Sequence, residues 1–389
     1  MCIVLMTTAH PDYALVAIDN RDEYILRPTS RPHWWTARPE VESRVPNGGT
    51  TNGTNGKSST NGNGSTNGLG KGSPAGEVEI LSSRDLQRAA RGTWLGITKD
   101  GNFAILTNYR EAITDVAAHP VCGVRSRGSM VTAWLRADPA ETTEHFVHRM
   151  LAGNGVKGVG GFSLICGKLR KAQEEKNIDP LSIISNRCDH AGQVPLICGQ
   201  RGSVYGLSNA IYVDQNGGFD EEESSLWPKV QKGKTLLSQT VADAVASSCS
   251  ETEFIASLFQ VLDTDDFPLD HSTDVEQAVR SLRSSIFIPP LGGKECQQEM
   301  EKARQHGRDN HNHPPSAETT EAVARPDEVN GFESGLYGTQ RQTVILVDWD
   351  GNVTFIERAL WDSHGNAIPK GEGDEIFKFK VDGWEARVE

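Results

Sequence analysis

The sequence predicts an α+β fold with largely antiparallel sheets. Short apolar, β-rich runs recur along the chain, and several are joined by tight turns into hairpins. The helix-forming stretches stand apart from those hairpins, and that segregation argues for α+β rather than a parallel α/β sheet.

In order, residues 2–8 and 13–20 read as two strands joined by His10-Pro11-Asp12, a hairpin. Further strands are expected at 93–98 and 102–107, turned by Lys99-Asp100-Gly101, and at 161–167, 181–185 and 204–208. The last pair, 343–348 and 352–357, flanks Asp350-Gly351, a strong hairpin turn. Asp138-Pro139 predicts a helix start, with an N-cap and Pro at the first position, running to about residue 152. Ser250 with Glu253, and Thr273 with Glu276, have the spacing of capping boxes before apolar-periodic stretches.

Two polar tracts interrupt the pattern. Residues 47–76 are almost wholly Gly, Asn, Ser and Thr, and about 293–335 is similarly polar. Neither offers much to bury, so both are expected to be disordered inserts within one domain covering 1–389.

Of 389 residues, 37% are hydrophobic and 23% charged, enough for a sizeable core. The formal net charge of -13, with no Lys/Arg block, argues against nucleic acid and anionic membranes as partners. No run of 18 apolar residues exists to span a bilayer, and the start lacks the basic flank of a secretory signal. The seven cysteines are scattered, odd in number and without a CxxC, which argues against disulfides or structural zinc and for a reducing compartment. The expected location is cytoplasmic, with mitochondrial or Golgi association as the alternative.

Cys2 directly follows the initiator Met1. If Met1 is trimmed, an α-amine with a pKa of about 7.7–8.0 sits on the same residue as the thiol, so base and nucleophile arrive together. The competing reading is a small buried strand residue. A 2–8/13–20 hairpin would bring residue 2 beside Asn20-Arg21-Asp22-Glu23, the polar run that closes the second strand. There Arg21 would favour a thiolate or bind an anionic group, and Asp22 or Glu23 would hold the ammonium. The competing reading is a solvated strand end with an internal ion pair of little worth.

The runs MCIVL, AIDNRDEYILRPTSRPHWW, TWLGITKDGNFAILTNYRE, SRGSMV, YGLSNA, WPKV and YGTQRQTVILVDWDGNVTFIER resemble, in order, the NRDE family of transport and Golgi organisation protein 2. Members are similar to cysteine-type N-terminal nucleophile hydrolases, so the resemblance implies a four-layer αββα sandwich with Cys2 at a central sheet edge. The family has been linked to haem mobilisation, to acyl-CoA and lipid metabolism, and to secretory-pathway organisation. The resemblance also picks out Asn108 and Asn209 at strand ends as oxyanion or substrate contacts, against turn-forming roles as the alternative. Asn20, Glu23 and Arg341 would line the substrate pocket. One departure stands out: the related hydrolases carry an Arg followed three positions later by an Asp, whereas Arg21 and Asp22 are adjacent and would point to opposite faces of a strand.

Two functions follow. In one, Cys2 attacks an amide, ester or thioester carbonyl of a small molecule. In the other, the same pocket binds and hands on haem or an acyl compound without catalysis. Neither requires a cofactor, and haem enters only as cargo. Some motifs are set aside. The GxGxxG match at 153–158 follows a helix and precedes a strand, the reverse of a dinucleotide-binding context. His306, His311 and His313 fall in a polar insert, and His145 with His148 read as a helix surface, so no metal site is expected. Trp34-Trp35 reads as packing.

Overall fold

The computed structural model describes residues 2–39, 76–109, 126–152, 155–156, 159–172, 176–212, 227–270, 272–273, 278–310 and 334–385. The Gly/Asn tract at 47–76 lies almost wholly outside these, as do parts of the GxGxxG match and of the Thr273 capping box.

The first sheet holds β1 (Ile3–Thr7), β2 (Tyr13–Tyr24), β10 (Val204–Ser208), β11 (Tyr337–Asp348), β12 (Asn352–Ala359) and β13 (Asp374–Lys380), in the order β10-β1-β2-β11-β12-β13. The second runs β3-β4-β5-β6-β7-β8-β9, from β3 (His33–Ala37), β4 (Val78–Ser82), β5 (Leu95–Thr98), β6 (Asn102–Asn108), β7 (Phe162–Lys168), β8 (Leu181–Ser185) and β9 (Leu196–Ile197). Every pairing between these strands is antiparallel.

The sheets pack face to face through Leu15, Ala17, Ile105, Ile165, Ile345 and Phe355. Helices α3 (Pro228–Ser247) and α4 (Glu251–Leu262) cover the outer face of the first sheet, against Ile3, Leu5, Val16 and Ile18. Helices α1 (Gly128–Leu135) and α2 (Thr143–Ala152) cover the second, against Ala104, Leu106 and Leu164. The layers are therefore αββα. Because both faces of the central strands are covered, β1 and β7 are buried at every residue, which is why they read as continuous apolar runs rather than alternating ones.

The turn chemistry acts as predicted. At the β11–β12 hairpin, Asp348 Oδ1 accepts from the backbone N–H groups of Asp350 and Asn352, and Gly351 adopts φ +79, which favours glycine. A Cβ there would stand 2.5 Å from Trp384 Cγ. Gly101 closes the β5–β6 turn with the same φ. The Ser250/Glu253 capping box is present in both directions at the start of α4, worth about 1 kcal/mol.

Several expectations are corrected. Helix α2 starts at Thr143, because Thr142 Oγ1 accepts from His145 N while Asp138 instead caps a turn at Ala140. The polar tract expected to be disordered over about 293–335 begins with a helix, α5 (Lys294–Asn310), anchored by buried Met300 and by Glu299, which accepts from Gly335 N. Its His306 lies on that helix, and His311 and His313 lie outside the described residues. The longest helix among the described residues, α3, was not anticipated, although Pro228 sits at its first turn. Trp34 and Trp35 pack as expected, Trp34 edge-on to Phe379 and Trp35 donating to Ser82 Oγ.

Candidate active site at the amino terminus

The β1–β2 register pairs Ile3 with Asn20, so Cys2 comes to lie beside Arg21 and Asp22. Its Sγ is 4.0 Å from the backbone oxygen of Asp22. The polar run is not a solvated strand end. It continues β2 to Tyr24, pairs with β11, and leaves Asn20 0%, Arg21 5% and Asp22 5% exposed.

Strand alternation then divides the run. Asn20 and Asp22 lie on the helix-facing side with Val16 and Ile18, whereas Asp19, Arg21 and Glu23 follow Leu15 and Ala17 into the layer between the sheets. Asn20 Nδ2 donates to Leu262 O at 2.8 Å and Ile286 O at 3.0 Å, tying the sheet to the carbonyl end of α4. Both bonds use the Asn20 amide nitrogen, and its Oδ1 has no hydrogen-bond partner among the described residues. Asp22 Oδ1 accepts from Thr339 Oγ1 at 2.8 Å. Arg21 lies 4.1 Å over the Trp94 ring and donates to Gln340 Oε1. Glu23 serves Arg27 at 3.1 Å and stands 3.9 Å from Arg21.

The two asparagines singled out by the sequence do converge on Cys2, through a residue that was not singled out. Ser208 Oγ bonds Cys2 O at 2.7 Å and Asn209 Oδ1 at 3.3 Å, and Asn209 Nδ2 donates to both Asn108 O and Asn108 Oδ1. The chain of contacts Cys2–Ser208–Asn209–Asn108 joins one sheet to the other. Lys229, fully buried near the start of α3, brings its Nζ to 3.4 Å from Cys2 O. A cation at a helix N-terminus opposes the helix dipole, so its burial there calls for an anionic partner, and Asp22 supplies the charge.

Arg341 stands opposite Arg21 across β2–β11, in the same inter-sheet layer. Its Nη1 donates to Trp361 O at 3.1 Å and its Nη2 to Thr29 Oγ1 at 3.4 Å, and Glu357 lies 3.7 Å from Nε. Beyond Cys2, Val4 and Met6 on β1, with Ile165, Ile183 and Tyr205, line a narrow apolar crevice between the sheets.

With Met1 in place, the electrostatics run against a resting thiolate. Burial pushes the Cys2 thiol up to about 11, with the carboxylates of Asp19 and Asp22 adding to the rise and the positive chain terminus opposing it. Burial also raises Asp22, partly offset by the chain terminus, Lys229 and the Thr339 hydroxyl. It raises Asp19 well above the usual carboxylate range and depresses Lys229. Desolvation thus outweighs the nearby positive charges that were expected to hold the thiolate.

The missed residues, Ser208, Lys229 and Asp19, share a reason: in sequence each is an ordinary polar residue beside an apolar run, and only packing reveals it as buried. Among the described residues no group of three His, Cys, Asp or Glu side chains could hold a metal ion. His145 and His148 lie on an exposed face of α2 beside Glu141 and Glu144. Among the described residues no helix is long and apolar enough to cross a membrane.

Comparison with known proteins places this geometry in context. The family model described as Transport and Golgi organisation 2 matches residues 1–56 and 72–362. The chain is 26% identical to the Transport and Golgi organization protein 2 homolog of Homo sapiens, over 90% of this chain and 88% of that one. It is equally 26% identical to an uncharacterized protein of Saccharomyces cerevisiae, over 98% of this chain and 100% of the other. Among solved structures it is similar to penicillin V acylase from Agrobacterium tumefaciens, with 12% identity, a TM-score of 0.40, and 97% and 86% of the two chains covered. It is also similar to conjugated bile acid hydrolase from Clostridium perfringens, with 8% identity, a TM-score of 0.37, and 99% of each chain covered.

Proposed function

The chain belongs to the Transport and Golgi organisation 2 family, and from that premise we propose that it is an N-terminal-cysteine acyl-transfer protein acting on an amide, ester or thioester carbonyl of a small molecule. The observation that carries the reading is the convergence on residue 2. Ser208 and Lys229 hold its carbonyl, Asp22 supplies a counter-charge for an ammonium, and Asn209 with Asn108 stands next along the same hydrogen-bonded chain.

After removal of Met1, the Cys2 thiol gives its proton to its own α-amine as Sγ bonds to the carbonyl carbon. The carbonyl π pair moves onto oxygen, where an asparagine amide N–H stabilises it. Collapse of that oxyanion expels the leaving group, which takes the proton from the ammonium, and a thioester remains on Sγ. Water then adds to the thioester, the amine accepting its proton, and the released thiolate regains a proton as the acid departs. In the chain that retains Met1 the thiol is held near 11 and is un-ionised at rest; with the α-amine on Cys2 itself, proton transfer accompanies the attack.

That same un-ionised thiol favours a second reading, in which the pocket carries haem or an acyl compound unchanged and no cofactor is required. One experiment separates the two. Mixing the protein with p-nitrophenyl acetate should release a stoichiometric burst of nitrophenol and add one acetyl mass to the Cys2 peptide, both abolished in Cys2→Ala. Haem or palmitoyl-CoA bound equally by wild type and Cys2→Ala, with no burst, would instead establish the carrier. On either reading we place the protein in the cytoplasm, with mitochondrial or Golgi association as the alternative.

A further inference from the structure

The inter-sheet layer changes character along its length. At one end it is apolar, through Leu15, Ala17, Phe103 and Phe355. At the end next to Cys2 the same inward-facing positions become polar. On the first sheet they are Asp19 and Arg21 of β2, Thr343 and Arg341 of β11, and Glu357 of β12. The register sets Asp19 beside Thr343 and Thr343 beside Glu357 in one row, with Arg21 beside Arg341 in the next. On the facing sheet, Thr107 of β6 continues the inward phase of Phe103 and Ile105. Trp94 accepts from Leu106 N through its backbone oxygen and so lies alongside it. The two surfaces meet where Arg21 stacks on Trp94.

These buried groups are not satisfied by one another. Asp19 Oδ2, Thr343 Oγ1, Thr107 Oγ1 and Trp94 Nε1 are all shielded from solvent and have no hydrogen-bond partner among the described residues, and Arg341 Nε makes no hydrogen bond beyond its 3.7 Å approach to Glu357. Asp19 is 2% exposed, Thr343 1%, Thr107 0% and Arg341 5%. A native core leaves few such groups, because each buried bond left unmade is costly. Several of them on two facing surfaces mark a ligand-binding surface rather than packing.

The atom types define the ligand. Arg341 Nε and Trp94 Nε1 can only donate, and the two threonine hydroxyls can donate. Burial raises Asp19 well above the usual carboxylate range, which favours its proton-bearing form. Glu357 is already engaged by Ser83, whose hydroxyl lies 2.8 and 2.7 Å from its two oxygens, and by Arg341. A donor-rich surface with its fixed carboxylates occupied suits a group that only accepts.

We propose that this inter-sheet surface, formed by Asp19, Thr343, Arg341, Thr107 and Trp94 beside Cys2, is a subsite that binds a carboxylate group of the ligand. The proposal rests on the Cys2 pocket being a ligand site, but not on its being catalytic.

The test uses the full chain with 15N-labelled tryptophan indoles, titrated with sodium acetate, acetamide or sodium chloride at constant ionic strength. The Trp94 indole N–H resonance is identified by its loss in Trp94→Phe. Acetate should move it downfield saturably, while acetamide and chloride leave it in place. Thr343→Val and Thr107→Val, near-isosteric and conformationally mild, should each weaken acetate binding by about tenfold, the loss expected for a hydrogen bond to a charged group. An unmoved indole, equal binding of acetamide, or unchanged binding by both valine variants would each overturn the proposal. Absence of an acetyl adduct on Cys2 after p-nitrophenyl acetate, with acetate binding intact, would remove the enzymatic reading alone and leave the subsite standing.

Discussion

Arg21 and Asp22 are neighbours in sequence and stand on opposite faces of one strand. The Arg21 guanidinium lies 4.1 Å over Trp94 between the sheets, and Asp22 accepts from Thr339 Oγ1 at 2.8 Å on the helix-facing side. The Asn-Arg-Asp-Glu run is therefore two sets of residues. Arg21 and Glu23 belong to the inter-sheet layer, and Asn20 and Asp22 to the interface with the helices. Cys2 lies where the two meet, with its Sγ against the Asp22 backbone.

The first prediction concerns the thiol. With a pKa of about 11, Cys2 is ionised at pH 7.5 to about one part in 3,000, against about one in ten for a free thiol of pKa 8.5. In a chain retaining Met1, iodoacetamide should label Cys2 about 300-fold more slowly than free cysteine. Its rate should climb about tenfold per pH unit up to pH 11. A chain beginning at Cys2 carries the opposing ammonium on the same residue and should label faster at pH 7.5. Peptide mass against time, at several pH values, reads both. Equal rates in the two chains would remove the amine from the mechanism.

A second prediction follows from Asp19. Its folded-state pKa is raised, so the folded state holds a proton that the unfolded state releases near pH 3.9. The carboxyl therefore costs nothing below about pH 4, and stability falls as pH rises through the folded pKa. Asp19→Asn removes that penalty. It should raise the melting temperature at pH 7.5, and the gain should vanish at pH 4. A gain independent of pH would show that the carboxyl does not titrate in this way.

How much of this was legible in advance differs by element. The hairpins were readable because turn chemistry is local: Asp350-Gly351 and Lys99-Asp100-Gly101 dictate their own geometry. The αββα layering came only by family resemblance, since covered faces turn β1 and β7 into apolar runs without a period. Cys2, Arg21 and Asp22 were expected to be neighbours, with Arg21 and Asp22 on opposite faces, and so they are; the link to Asn108 and Asn209 through Ser208 was not foreseen. Whether a polar residue after an apolar run ends the strand or continues it depends on what lies opposite, and Tyr337, Gly338 and Thr339 are over 300 residues away. Lys229 was invisible for the same reason. A lysine after Trp227-Pro228 reads as solvated until the N-terminus is found beneath it.

Lys229 supplies the third prediction. Removing one member of a buried, charge-coupled pair is more damaging than removing both. Lys229→Met should destabilise the protein by about 3–5 kcal/mol, because it leaves Asp22 buried without that compensation. Asp22→Asn in the same chain should restore part of the loss, giving a coupling of about 1–3 kcal/mol in a double-mutant cycle. Urea midpoints of the four proteins measure it. Strict additivity would mean that Lys229 and Asp22 do not sense each other.

The last prediction separates the structural asparagine from the functional ones. Asn20 is fully buried, and its Nδ2 satisfies two main-chain oxygens, Leu262 O and Ile286 O. Asn20→Ala would strand both carbonyls and open space beneath α4, so it should lower stability by about 2–4 kcal/mol. Among the described residues Asn209 Nδ2 donates to Asn108 alone, to one main-chain oxygen and to a side chain that is exposed and can turn to water. Asn209→Ala should therefore cost less than about 1.5 kcal/mol. Acylation of Cys2 by p-nitrophenyl acetate should follow the opposite order. It should fall about 100-fold or more in Asn209→Ala, the usual loss for an oxyanion donor. In Asn20→Ala, assayed well below its melting temperature, it should stay within a few-fold of wild type. Parallel losses of stability and acylation in both variants would mean that Asn209 merely supports the fold, and the oxyanion role would pass to another donor near Cys2.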